Sequence, residues 1–223
     1  MKVRLAIVGA GLTGCELALQ LAARGVEALL ITPDSATIAR QHDHKPAILP
    51  LDSRLVQFPL MDRSGAARAA ISATPAITLL EDWVCGLDPG PPIALHTRSG
   101  QVIQAEQAVL AVGSFLGAVL HQDGEHRSQG REGEPSDDQL LLRLSALGVP
   151  LERHHASRPA GPSWHAYLVE YWRIKPAGLD GYRVRAVPGL WAAGACRGAE
   201  RYWDAVDEGR ELAELLASSR ELA

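Results

Sequence analysis

The sequence predicts an α/β fold built on a doubly wound parallel sheet, and three observations carry that reading. Two short apolar runs, Val3 to Val8 and Ala28 to Ile31, have the branched character of parallel strands buried on both faces. Between them Leu12, Cys15, Leu17, Ala18, Leu21 and Ala22 recur at helical spacing, and Gly25 stops the helix. At the junction of the first run and the helix stands Gly9-Ala10-Gly11-Leu12-Thr13-Gly14, a glycine pattern that gains meaning from a strand before it and a helix after it.

The remaining elements follow from pattern and punctuation. Thr32, Pro33 and Asp34 end the second strand, and Ala36 to Leu60, with His42, His44 and three prolines, reads as a long irregular connection able to fold over a ligand. Asp62 to Ser72 is alanine-rich and helical, followed by strands at Ile77 to Leu80 and Trp83 to Leu87. Ile93 to Thr97 and Gln101 to Gln104 flank Arg98-Ser99-Gly100 as a small antiparallel β-meander. Ala108 to Val112 is a further buried strand ending at Gly113. Residues 121–138 are dominated by Gly, Asp, Glu, Arg and Ser and read as a solvated, flexible loop. Ser136 and Gln139 have capping-box spacing before a leucine-faced helix that Gly148 stops. Trp164, Tyr167, Tyr171 and Trp172 fit a strand better than a helix, because the segment is rich in aromatic and branched residues. Leu190 to Ala193 is a last buried strand, and Tyr202 to Ala217 a closing amphipathic helix.

Composition narrows the function. The 223 residues, 47% of them apolar, suit one domain spanning 1–223. The formal charge is −4 and the lysines are Lys2, Lys45 and Lys175, so no basic block tracks a nucleic-acid backbone and unaided nucleic-acid binding is not expected. Cys15, Cys85 and Cys196 form neither a disulfide framework nor a CxxC pair, which fits a reducing, cytoplasmic compartment. Leu12-Thr13-Gly14-Cys15 after an apolar run resembles a lipoprotein cleavage site, but the strand-helix-strand pattern around it argues against export. The uncharged stretch Gln107 to Leu120 is too short to cross a bilayer, so no membrane association is expected.

In the glycine loop, Gly9 permits the turn, Gly11 lets a pyrophosphate approach the backbone, and Gly14 lets helix and strand pack closely, with Ala10, Leu12 and Thr13 completing the contact. A nicotinamide site normally carries an acid at the end of the second strand. Here that place holds Thr32, followed by Pro33, and the ribose contact falls to Thr32, to backbone or to Asp34. An extended cofactor such as FAD also needs a second backbone approach late in the chain. Gly194 and Ala195 can supply it, and the helix starting near Tyr202 can aim its dipole at the flavin. Ala111, Val112, Gly113 and Ser114 form another small-residue turn at a strand end.

These residues resemble the FAD-binding domain of the MnmG/GidA tRNA-modifying flavoproteins and the small GidA-related proteins. The resemblance runs through LLITPDSATI (Leu29 to Ile38), KPAI (Lys45 to Ile48), VLAVGSFLG (Val109 to Gly117), GREGEPSDDQLLLRLSALGVPL (Gly130 to Leu151) and GLWAAGACRGAERYWDAVDEG (Gly189 to Gly209). It implies FAD as cofactor, with Thr32 at the adenosine ribose, Val84 near the adenine, and Gly113, Ser114, Gly194, Ala195 and Cys196 along the flavin. It further implies a redox flavoprotein linked to tRNA wobble-uridine modification. The family's glycine-rich loop after Pro-Ala-Ile is replaced here by LPLDSRLV (Leu49 to Val56), its Lys-Thr-Gly-Thr-Pro-Pro-Arg motif by HHASRPAGP (His154 to Pro162), and its NADH-binding insertion and tRNA-binding helical domain have no counterpart in these residues. The expectation is therefore a flavoprotein acting with a protein partner or substrate carrier. A noncatalytic FAD-binding subunit and a nicotinamide-binding Rossmann protein are the alternatives.

Other candidates read as structural. Cys196 beside the flavin is a redox candidate, although a lone cysteine at a small-residue strand end more often packs. His42 with His44 and His154 with His155 lack ligand-spaced partners and read as solvated loop histidines rather than metal ligands. The late aromatics read as filling the layer under the closing helix, with lining of the flavin's open face or of a partner interface as the alternative, and Asp204, Asp207 and Glu208 read as solvated residues suited to the positive end of that helix.

Overall fold

The computed structural model describes residues 1–40, 48–59, 62–131, 134, 136, 138–160 and 165–219. His42, His44, Lys45, Pro46 and Trp164 lie outside the described residues, as do positions 132, 133, 135 and 137. In chain order the elements are β1 (Lys2–Val8), α1 (Leu12–Ala22), β2 (Ala28–Thr32), α2 (Arg63–Ala73), β3 (Ile77–Glu81), β4 (Val84–Asp88), β5 (Ile93–Thr97), β6 (Val102–Leu110), β7 (Val119–Gln122), β8 (Glu125–Arg127), α3 (Asp138–Ala146), β9 (Leu151–Arg158), β10 (Tyr167–Ile174), β11 (Leu179–Asp180), β12 (Arg183–Val184), β13 (Leu190–Ala192) and α4 (Tyr202–Ser218).

The parallel heart of the main sheet has the order β13-β6-β1-β2-β3, with β12 and β11 added antiparallel at one edge. Side chains alternate across it as period 2 requires. Leu5 and Ile7 of β1 join a core completed by α1, α2 and α4, whereas Ala6 and Val8 join a second core completed by the meander and α3. One face is thus covered by helices and the other by the antiparallel β4-β5-β6 meander together with α3. Strand β6 serves both arrangements, pairing with β5 through residues 102–105 and with β13 through 108–110.

A second sheet, order β8-β7-β10-β9, is antiparallel throughout and buries Ala118, Leu120, Tyr167, Val169 and Tyr171 as its own small core. This sheet corrects the expectation of one loop over 121–138. The first part of that stretch folds as a β7-β8 hairpin, Leu120 opposite Arg127 and Gln122 opposite Glu125, turning at Asp123 and Gly124 with positive φ. All three residues of β8 are exposed, so the strand has no apolar face to reveal it in the sequence. The aromatic strand at 167–174 does form, pairing with β9 along its whole length. Among the described residues no helix is long and apolar enough to cross a membrane.

The tightest packing lies where β1, α1 and β6 meet. A Cβ placed on Gly14 would stand 1.9 Å from the Gly9 carbonyl oxygen, and one on Gly9, whose φ is +108°, would stand 2.4 Å from the Ala111 carbonyl oxygen. Both neighbours are backbone and cannot swing aside. Gly14→Ala should therefore cost about 3 kcal/mol of unfolding free energy. Gly86→Ala, whose added Cβ meets nothing closer than 3.9 Å, should change stability by less than about 1 kcal/mol. Urea unfolding midpoints of the two variants check the contrast.

Candidate functional site

The site begins at the end of β1. Gly9 donates its N–H to the Ile31 carbonyl (2.8 Å), which ties the turn to β2, and Gly11 then caps α1 in extended conformation. No side chain caps that helix and no acid sits in its first turn. Its leading N–H groups and positive dipole end are thus left for something outside the helix. In contrast to Gly9 and Gly14, a Cβ on Gly11 would meet nothing within 4 Å. The glycine at the helix mouth faces open space, and its two companions are there for packing.

The late segment docks on the same spot. A Cβ at Gly194 (φ +78°) would stand 2.5 Å from Thr13 Oγ1, and one at Gly209 of α4 would stand 2.7 Å from the Thr13 carbonyl oxygen. The N–H of Gly194 donates to Glu208 Oε2 at 2.6 Å, and the other carboxylate oxygen of Glu208 receives the Arg197 guanidinium. Glu208 is thus a clasp between the β13 turn and α4, with only 14% of its side chain exposed, and not the solvated residue the sequence suggested. Burial pushes its carboxyl above the ordinary range, against the pull of Gly194 and Arg197.

A cleft of about 400 Å³ opens along these turns, within the roughly 300–1,000 Å³ usual for small-molecule sites. Of the 17 residues singled out from the sequence, 14 line it: Gly9, Ala10, Gly11, Leu12 and Thr13; Thr32 and Pro33; Val84; Ala111, Val112, Gly113 and Ser114; Ala195; and Tyr202. Gly14, Gly194 and Cys196 do not. The two glycines are consumed in the close packing described above. Cys196 is fully buried, and its thiol donates to the Leu110 and Ala193 carbonyls, so burial pushes it up to about 12. Cys15 is in the same position, donating to the Ala10 carbonyl with its thiol pushed up to about 12. Both thiols are packing groups. At the β2 end, Thr32 faces the cleft while its hydroxyl donates to the Asp34 carbonyl. The Asp34 carboxylate accepts from the Ala36 N–H at 2.7 Å, capping a local turn, and the residue does not line the cleft.

The other wall of the cleft comes from the second sheet and from the segments around residues 131–134 and 200, and of its residues the sequence points only to Tyr171, among the late aromatics, as a candidate for lining the flavin. Arg131, Glu134, His154, His155, Tyr171 and Glu200 line it. His154 and His155 are strand residues in β9, not loop residues. His154 lies edge-on to Tyr171 with ring centroids 5.5 Å apart, and its Nε2 is 3.6 Å from Glu200 Oε1. Burial and the nearby Arg173 hold the His154 imidazole below its ordinary range, with Glu200 pulling the other way. Burial likewise raises the Tyr171 phenol. At neutral pH both groups are uncharged hydrogen-bonding partners. No group of three or more His, Cys, Asp or Glu among the described residues is arranged to hold a metal.

A parallel sheet with a glycine turn at β1-α1, a second close approach between β13 and α4, and a cleft across the strand ends defines the Rossmann-like class of FAD- and NAD(P)-binding domains. The family model described as "Glucose inhibited division protein A" matches residues 4–45 and 54–160, and the chain belongs to that family. It is 31% identical over 217 residues to the tRNA uridine 5-carboxymethylaminomethyl modification enzyme MnmG of Chlorobaculum tepidum, a match covering 78% of this chain and 34% of that enzyme. The MnmG of Porphyromonas gingivalis is 28% identical over 69% of this chain and 31% of its own length. The chain thus spans about a third of the length of the curated relatives it matches. Among solved structures, the GidA-related protein from Thermus thermophilus is 30% identical, with a TM-score of 0.88 over 96% of this chain and 97% of that one. Aquifex aeolicus GidA shares the fold at 13% identity, with a TM-score of 0.84 over 97% of this chain and 63% of its own.

The buried clasp generates a pH signature. A carboxyl whose folded pKa is raised stabilises the fold fully below its unfolded pKa, and that contribution is lost as pH rises through the folded value. In Glu208→Gln this term vanishes. Stability curves of the two proteins should diverge from about pH 4.3 upward, the wild type losing relative stability with each step. Urea midpoints measured across that range check it.

Proposed function

We propose that the chain is a FAD-binding unit of the GidA family, acting as a redox flavoprotein in concert with a partner that presents the substrate. The observation that carries the reading is the reach of one cleft. It runs from Thr32 and Val84, past the open face of Gly11 and the uncapped start of α1, to Ala195 and the second sheet. A ligand with an adenosine at one end, a pyrophosphate in the middle and a second ring system at the other fits that reach.

The residues fit the cofactor part by part. Thr32 and Pro33 border the end of the cleft that takes the adenosine ribose. The Leu12 and Thr13 N–H groups face the pyrophosphate, which supplies the negative charge that the first turn of α1 lacks. Ala111 to Ser114 and Ala195 give the smooth backbone walls beyond it. When bound, FAD supplies hydride and electron transfer. The protein's own residues bind and orient it, and His154 and Tyr171 offer neutral hydrogen bonds at the far end. With both buried thiols turned away from the cleft, no cysteine relay is available among the described residues. That favours chemistry completed by a partner. By analogy with the MnmG relatives, the reaction served is tRNA wobble-uridine modification.

Absorption of the freshly purified or FAD-reconstituted protein, with identification of the released cofactor, tests the reading. Flavin bands and released FAD are expected, whereas a colourless protein that cannot be reconstituted overturns it. Gly11→Val should lower FAD affinity at least about 100-fold by blocking the pyrophosphate approach, while its unfolding midpoint stays near that of the wild type because the added Cβ meets no protein atom within 4 Å. Isothermal titration with FAD alongside urea unfolding separates the two effects.

A further inference from the structure

We propose that Arg131 supplies the positive charge that favours the anionic, two-electron-reduced form of the flavin over the oxidised form, an inference that rests on the FAD reading above. The sequence assigned that task to the positive end of the closing helix, but that end of α4 already carries two carboxylates. The Asp204 carboxylate accepts the Arg201 N–H and pairs with its guanidinium, and Glu208 takes the N–H of Gly194. A further negative group there would meet two carboxylates whose cations, Arg197 and Arg201, are already paired, whereas the carboxylates at the second-sheet end, Glu134 and Glu200, share the wall with Arg131.

The charge must come from elsewhere along the cleft, and few groups qualify. Three arginines line it: Arg40, Arg131 and Arg201. Arg201 is paired with Asp204, and Arg40 follows Ala39, whose N–H is bonded to Ala10, so it lies toward the adenosine end and has its own partner. Just behind the wall, Arg173 is shared between Glu152 and Glu200, and Arg197 is paired with Glu208. His154 and Tyr171 are neutral at pH 7 for the reasons given above. Arg131 remains: its guanidinium has no hydrogen bond or ion pair among the described residues, and its Nε is buried with no partner.

Its position is fixed by the backbone and not by a salt bridge. The Arg131 carbonyl accepts from the Glu134 N–H at 3.0 Å, and the Gly130 N–H donates to the Glu134 carbonyl at 2.6 Å. These bonds hold residue 131 in the wall of the cleft that Tyr171 also lines. A buried guanidinium nitrogen without an acceptor is costly, and a ligand carrying negative charge at that end relieves the cost. The adenosine end is set by Thr32 and Val84, so the opposite end is the flavin's.

Reduction potentials of the FAD-loaded full chain, taken with FAD dissociation constants, test the assignment. Arg131→Gln should weaken reduced FAD about tenfold relative to oxidised FAD, which is roughly 30 mV more negative for a two-electron couple. Arg131→Lys, which keeps the charge, should restore most of the difference. The wild-type potential should fall with pH by one proton per two electrons between about pH 6 and 8, the slope of a reduced form that stays anionic, and this measurement needs no variant. A two-proton slope, an unchanged ratio in Arg131→Gln, or equal weakening of both forms overturns the inference. A wild-type chain that takes up no FAD overturns the cofactor reading itself, so the two failures are distinguishable.

Discussion

The closeness of three backbone segments, Gly9, Gly14 and Ala111, underlies every other feature of the molecule. Because no Cβ fits at either glycine, the first turn of α1 presses directly on the end of β1 and against the start of the turn after β6. That contact fixes the direction of the helix axis, and the axis decides where its unsatisfied N–H groups point. It also brings Thr13 to the surface on which Gly194 and Gly209 close. The cleft is the space left over once these backbones have met.

A second constraint holds α1 from its other side. Glu16, fully buried, accepts hydrogen bonds from Ser53 Oγ, from the N–H groups of Arg54 and Leu55, and from Gln20 Nε2, at 2.8–3.1 Å. A carboxylate so placed is tolerated because every oxygen is met by donors. The segment that meets it is the one in which the sequence departs from the family's glycine-rich loop. Leu49 to Val56 has therefore not merely lost a motif: it gains a clamp that seats the described part of the long connection on α1. Arg210 of α4 reaches the same segment through Asp52, at 3.3 Å.

Legibility in the sequence followed burial. The strands β1, β2 and β13 and the helices α1 and α4 announce themselves because each has an apolar face of the right period, and most of the cleft residues recognised in advance lie on them or in the turns that adjoin them. Small residues such as Gly113 and Ala195 were readable for a related reason, since only a close approach explains them at a strand end. The second sheet was only half readable. β10 shows through Tyr167, Val169 and Tyr171, whereas β7, β8 and β9 mix His, Glu, Arg and Gln on both faces and mimic a solvated loop. His154 therefore stayed hidden: pairing between β9 and β10, which sets it opposite Tyr171, and not any local pattern brings it to the cleft, while Arg131 and Glu200 reach it from connecting segments with no pattern of their own. Glu208 was misjudged because helical position alone does not show that Gly194 and Arg197 fold back over it.

The docking of α4 on α1 has a consequence for how the molecule comes into being. Thr13 lies in α1 and Gly209 in α4, so contacts between them close a loop that holds every described strand except β1. Such long-range closure is slow and entropically costly compared with local pairing. Until α4 has docked, the cleft beside Gly11 lacks the part of its wall that Tyr202 and Ala205 provide. The cleft is thus complete only after this long-range closure, and before it the apolar side of α1, with Leu17 and Leu21, lacks the cover that Val206, Leu212 and Leu216 of α4 give it.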